Sequence, residues 1–231
     1  MKYAFEWVED YIWVEMEKDG LYPPERITKP IGAHELIKGI DFAGKKVLDV
    51  GCGTGWFGRM LKQRGASVFG VDISESLLVE AGKSFPVFDS SAYNLPFENN
   101  GFDYAIFFMV AHLLENPAKA FSELKRVLKP ESKVFFSIIH PRAERWDVDS
   151  GECFTDHLAY PKIAERLWVF NLVDGRKFTK HYFHRPLSFY QNVIHPDFSI
   201  NRFLEPLFPP SLSKGKKYAS REYLFMELKK N

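Results

Sequence analysis

The residues with the most chemical content lie between Lys45 and Ser74: Gly51, Gly53 and Gly55 close together, Asp49 just ahead of them, and Asp72 further on. Glycines lack Cβ, so a turn made of several can bend tightly and let a ligand reach the backbone. The helix start that follows offers free N–H groups and partial positive charge to an anion. Asp72 brings two acceptor oxygens, enough for both hydroxyls of an unmodified ribose. The stretch is therefore suited to a nucleoside carrying a small anionic group. Gly53, Gly55 and Gly58 also satisfy G-x-G-x-x-G with an acid at the distance found in dinucleotide sites, a pattern that is ambiguous alone. Asp49 separates the readings, because a carboxylate inside the preceding strand repels a pyrophosphate and suits a cation.

The elements that must position these groups follow from hydrophobic periodicity. Val47 to Val50 reads as a buried strand, a helix runs from the glycine turn to about Arg64, Gly65 stops it, and a second buried strand ends on Asp72. Ser74 is the expected N-cap of the next helix, with Glu75 favouring its start and Leu77, Leu78 and Ala81 facing the core. A short strand over Val87 to Asp89 leads into Ser90 to Phe97. The apolar run Phe102 to Val110 predicts a central parallel strand, which puts Met109 to Leu113 at the ligand rim of an open α/β sheet. Asn116-Pro117 starts a helix facing the core with Phe121, Leu124 and Leu128 and ended by Lys129-Pro130, and the strand Val134 to Ile139 delivers His140-Pro141 to the same rim. Upstream, Phe5, Val8, Ile12 and Met16 predict an amphipathic helix over about 2–19, and a short helix near Ala33 to Ile40 leads into the first strand.

A ligand with a ribose diol, a carboxylate and cationic groups is S-adenosylmethionine (SAM), and at this point the sequence resembles the class I SAM-dependent methyltransferases. The resemblance rests on V-L-D-V-G-C-G-T-G followed by Asp72, then Asn94-Leu95-Pro96-Phe97, Gly101-Phe102-Asp103 and Leu124 to Pro130, in that order, and covers about 40–140. It implies a three-layer α/β/α Rossmann-like fold of seven strands, the last antiparallel, that binds SAM and releases S-adenosylhomocysteine. In that frame Asp49 orients the methionine end with Gly51, Cys52, Gly53 and Gly55. Asp72 holds the ribose, beside Ile73, Ser74 and Leu77. Ser91, Ala92 and Tyr93 lie along the adenine, and Met109 near the sulfur. The family pattern D-A-x-x-L-P-F carries an acid where this chain has Ser91, with Asp89 as a second candidate for the adenine amine. His112 and His140 are the candidate catalytic bases.

After Arg142 the pattern changes. Leu167 to Val173 and Arg176 to Phe183 read as strands joined by Asp174-Gly175, a two-residue hairpin turn that would set Trp168 opposite His181. Neither face is cleanly apolar, so 142–185 is expected to be a hairpin insertion over the active site, with Tyr11, His140, Trp168, Tyr182 and Arg185 as substrate contacts. No metal is expected, since the odd spacing of His181 and His184 on a strand sends them to opposite faces. The run Arg185-Pro186-Leu187-Ser188 with Tyr190, followed by Glu205-Pro206, is similar to a bacterial small-molecule branch of the family, the ubiquinone/menaquinone-methylase-like enzymes.

The 231 residues, 45% hydrophobic, are enough for one substantial core and short for two, so a single domain over 1–231 is expected: cover helices to 40, a SAM-binding core over 41–140, the insertion, and closing helix and strands over 186–231. A formal net charge of +1 gives no general reason to bind nucleic acid or an anionic membrane. The N-terminus lacks the apolar core of a signal peptide, no run approaches the roughly 20 residues of a membrane span, and Cys52 and Cys153 do not make a disulfide scaffold, so the cytoplasm is expected. The acceptor is expected to be a small molecule. Two alternatives stay open: an RNA or protein methyltransferase, for which Lys214, Lys216 and Lys217 are the local hint, and a non-catalytic SAM-binding protein. The oligomeric state is not written in the sequence.

Overall fold

The computed structural model describes residues 32–142, 145–146, 153–154, 163–171, 177–207 and 223–231. The expected helix over 2–19, with Tyr11, and the lysines at 214, 216 and 217 lie outside the described residues.

The sheet is built around the predicted β-α-β unit. Strand β1 (Lys46–Val50) pairs in parallel with β2 (Ser67–Asp72), which pairs in parallel with β3 (Val87–Asp89); on its other side β1 takes β4 (Phe102–Phe108), and β4 takes β5 (Leu128–Ile139), all parallel. The last strand, β11 (Tyr223–Lys230), inserts antiparallel between β5 and β10 (Phe198–Leu204), giving seven strands in the order β10-β11-β5-β4-β1-β2-β3. The expected architecture is therefore present. Strand order reverses between β1 and β4, and the crevice beyond their carboxyl ends is where open α/β sheets bind ligands.

Helices cover both faces: α1 (Ala33–Leu36), α2 (Trp56–Gln63) and α3 (Glu75–Ala81), then α4 (Pro117–Val127) and α5 (Leu187–Ile194). Because successive strand residues point to opposite faces, adjacent residues feed separate cores: Ile106 and Phe135 pack with Phe42, Phe57 and Leu61, whereas Phe107 and Phe136 pack with Phe121, Tyr190 and Phe198. Both predicted caps form. Ser74 Oγ accepts from the Leu77 N–H and Asn116 Oδ1 from the Lys119 N–H, with Pro117 opening α4.

Two local expectations are corrected. The α4 helix ends at Val127, before Lys129-Pro130, because Leu128 is already extended and paired with Phe102; the pairing then slips by a bulge, with Glu131 at φ 62°, before resuming at Lys133. Second, β8 (Ala164–Asn171) and β9 (Lys177–His184) form the expected antiparallel pair, with β6 (Arg145–Trp146) and β7 (Cys153–Phe154) as a separate short pair ahead of them. Their register, however, sets His181 opposite Leu167 and Trp168 opposite Lys180. Every described pair thus lies one position out of the register that a two-residue turn at Asp174-Gly175 sets.

Candidate active site

The glycine turn after β1 folds back over β2, since the N–H groups of Gly51 and Cys52 both donate to the Val71 carbonyl, at 2.7 and 3.0 Å. Gly51 has φ 72°, and a Cβ there would lie 2.2 Å from Val110, so the turn packs directly against the rim of β4. Gly53 differs. It also has positive φ, 55°, but a Cβ on it would meet nothing within 4 Å, which leaves its face open to a ligand. Asp72 holds this turn: its Oδ2 accepts from Gly53 N–H at 2.8 Å and its Oδ1 from Ser74 N–H at 3.1 Å. A carboxylate has about four lone-pair sites, so these two backbone bonds do not by themselves saturate it.

Asp49 is 4% exposed, and its Oδ2 is a buried oxygen with no hydrogen-bond partner among the described residues. A bond from the backbone N–H of Gly58 only partly offsets the strain of its position. Burial, and then the neighbouring charge of Asp72, push the carboxyl up to about 7. A cationic donor placed beside Asp49 would relieve both problems at once. Cys52 is buried, and its thiol is pushed up by burial and by Asp49 and Asp72, which keeps it protonated as a packing side chain.

Along the expected adenine edge, Ile73 remains 40% exposed on the rim, an apolar side chain placed for a flat ligand to cover, while Ser74, Leu77 and Ala92 are buried. Ser91 Oγ accepts from Tyr93 N–H at 3.2 Å, and Tyr93 Oη accepts from Asn116 N–H at 3.0 Å. Asp89 pairs with Asp72 in the β2–β3 register but is exposed. The loop that follows is clamped from α4. Arg126 donates to the carbonyls of Leu95 and Phe97 at 2.8 and 2.6 Å, and Glu123 accepts from Leu95 N–H at 2.8 Å while pairing with Arg126 at 2.7 Å. Sequence reasoning passed over Glu123 and Arg126. Their i, i+3 spacing on the polar side of α4 was the available signal.

At the carboxyl end of β4, Met109 adopts φ 60°, a conformation rare outside glycine, and its N–H donates to Ser137 at 3.0 Å. The chain then turns through Val110 to Glu115 and presents His112, buried, with its ring 6.3 Å from that of Tyr182. His140, at the end of β5, has both nitrogens engaged: Nδ1 accepts from Arg142 N–H at 3.0 Å, which leaves Nε2–H to donate to Glu205 at 2.9 Å. His112, His140, Tyr182 and Arg185 line one narrow pocket, together with His184 and Tyr190. Arg185, expected among the substrate contacts, instead directs its guanidinium to backbone carbonyls. Of Trp168 only the backbone pairing is described. Glu205 and Tyr190 enter the sequence reasoning only as members of the E-P and R-P-L-S-x-Y runs, with no role at the site. Among the described residues no group of histidine, cysteine and acidic side chains is arranged to hold a metal ion.

Residues 48–136 match the family model described as a methyltransferase domain. These residues supply the glycine turn and the parallel half of a sheet ordered β10-β11-β5-β4-β1-β2-β3. Among curated relatives it is similar to the ubiquinone biosynthesis O-methyltransferase of Pseudomonas fluorescens, 31% identical over 150 residues, which are 61% of this chain and 64% of that protein's length. Among solved structures it resembles a Listeria monocytogenes protein assigned as a SAM-dependent methyltransferase, with TM-score 0.68, 24% identity, and coverage of 86% of this chain and 96% of that one. It also resembles the Burkholderia thailandensis 1,6-didemethyltoxoflavin-N1-methyltransferase, solved with 1,6-didemethyltoxoflavin and S-adenosylhomocysteine bound, with TM-score 0.61, 16% identity, and coverage of 96% and 87%. At these identities the structural likenesses speak for the fold.

Proposed function

We propose that the protein transfers a methyl group from SAM to an oxygen, nitrogen or carbon nucleophile of a small-molecule acceptor. The observation that carries this reading is the pairing of a buried, unpartnered Asp49 oxygen with the open face of Gly53. That combination suits a ligand with a cationic end approaching bare backbone. Asp49 would meet the ammonium, Asp72 the ribose diol, Ile73 and Ala92 the faces of the adenine, and Ser91 with the Ala92 N–H its edge. SAM supplies an activated methyl group on a sulfonium, so the chain itself has to align the nucleophile, exclude water and, for a protonated acceptor, take up a proton.

His112 is the stronger candidate for that proton, because both nitrogens of His140 are engaged, Nδ1 by the N–H of Arg142 and Nε2 by Glu205 beyond β10. The small-molecule assignment is supported by the balanced net charge and by the activities named for the relatives above. We take the chain as one domain with 142–185 covering the acceptor, working in the cytoplasm. Among the described residues no helix is long and apolar enough to cross a membrane.

Calorimetry with S-adenosylhomocysteine, followed by an S-adenosylhomocysteine release assay over a panel of phenols, amines and activated methylenes, tests the proposal. Cofactor binding without turnover on any acceptor would turn the reading toward a non-catalytic SAM-binding protein. Turnover on RNA that disappears at raised salt would replace the small molecule with a nucleic acid.

A further inference from the structure

We propose that Arg185 is the positioning residue of the acceptor site, holding the turn that carries His112 in place; this rests on the methyltransferase reading above. Arg185 is 4% exposed, and a buried charge is costly unless its donors are satisfied. Its guanidinium reaches the carbonyls of Leu114 and Glu115 at 2.7 and 2.9 Å, and that of Ala111 at 3.4 Å, so it gathers three carbonyls of one turn. Its central carbon lies over the rings of Phe183 and Phe189, 4.5 and 5.0 Å from their centroids, and it also hydrogen-bonds the Tyr190 phenol.

The turn so gathered is the one that leaves β4 at the ligand rim. His112 sits inside it, and its carbonyl accepts from Phe183 N–H at 2.7 Å, two residues before Arg185 in the chain. The opposite side of the same turn begins at Val110, which packs on Gly51 of the cofactor turn. His112 is thus fixed between the cofactor turn and the end of β9, and the residue that closes the arrangement lies on neither β4 nor its loop. A guanidinium suits the task because its planar fork of donors serves several carbonyls at once and its delocalised charge tolerates neighbouring rings; an ammonium on a flexible stem offers no such fixed fork.

A merely stabilising Arg185 would lower the melting temperature and leave the site chemistry of the folded protein unchanged. The test compares wild type with Arg185→Lys and Arg185→Gln in three measurements. The first is affinity for S-adenosylhomocysteine by calorimetry. The second is the imidazole Cε1–H signal of His112 in histidine-labelled protein, assigned with His112→Asn. The third is kcat and acceptor KM with the acceptor that the release assay identifies.

Both variants are expected to keep cofactor affinity, to shift the His112 signal, and to lose between about ten- and a hundred-fold in kcat, the range for a displaced catalytic group. The lysine is not expected to restore the signal or the rate. An unmoved His112 signal, or an unchanged kcat in folded protein, overturns the proposal. Should Arg185→Gln fail to fold, Arg185→Lys and Phe189→Leu, which removes one ring beside the guanidinium and keeps the charge, decide the same question. Failure of wild type to bind S-adenosylhomocysteine would refute the methyltransferase reading, and the His112 signal would still report whether Arg185 holds the turn.

Discussion

Asp72 accepts a hydrogen bond from the backbone N–H of Gly53 at 2.8 Å, across a sequence separation of 19 residues. The residue expected to hold the ribose therefore also fixes the open glycine of the cofactor turn, so removing its carboxylate disturbs both ends of the cofactor site.

Asp72→Ala should weaken S-adenosylhomocysteine by about 2 to 4 kcal/mol, the scale of two charge-assisted hydrogen bonds lost together. Asp72→Asn keeps one acceptor for Gly53 and should lose less. Calorimetry on the folded variants measures both, and an unchanged affinity for the alanine variant would remove Asp72 from ribose recognition.

The pH dependence follows from Asp49, whose folded value of about 7 stands above its ordinary 3.8. A raised carboxyl contributes stability that is fully present below the unfolded value and is lost as pH rises toward the folded one. The apo protein should therefore lose stability between about pH 4 and 7 through this residue, and Asp49→Asn should flatten that part of the curve. An ammonium beside Asp49 favours the ionised form, so cofactor binding near pH 6 should release protons. Calorimetry in two buffers of different ionisation enthalpy reads that release, and equal heats after correction would deny the contact.

At the adenine edge, Ser91→Asp should tighten S-adenosylhomocysteine modestly by supplying a charged acceptor to the adenine amine. If Asp89 makes that contact, Asp89→Asn will weaken binding and Ser91→Ala will not. The exposure of Asp89 favours the first outcome.

The clamp from α4 is testable away from the ligand. Arg126→Ala frees two carbonyls and leaves Glu123 without its main charge partner, so stability should fall by about 1 to 3 kcal/mol. Cofactor affinity should fall with it, as the loop beside Ser91 to Tyr93 loosens. Arg126 holds the Glu123 carboxyl below its ordinary value, so the contribution is present above the usual carboxylate range and fades as pH falls through the lowered one. Urea denaturation at neutral and acid pH should show the gap between wild type and variant narrowing in acid.

The β-α-β unit, the sheet class and the cofactor turn are legible from the residues alone, because these rest on local rules. Glycines permit the positive φ of Gly51 and Gly53, buried parallel strands demand continuous apolar runs, and Ser74 and Asn116 cap the helices that follow them. The end of α4 and the hairpin register were decided elsewhere. Leu128 leaves its helix because Phe102, distant in sequence, offers it a strand partner, and β8 and β9 pair one position away from the register that Asp174-Gly175 implied. The acceptor side was decided by the tertiary structure almost entirely. Whether a histidine is a base or a strap depends on what its nitrogens touch, and only the folded chain brings Glu205 to His140, or sets Arg185 against the carbonyls of Ala111, Leu114 and Glu115. Those partners meet through long-range packing, which local sequence patterns do not encode.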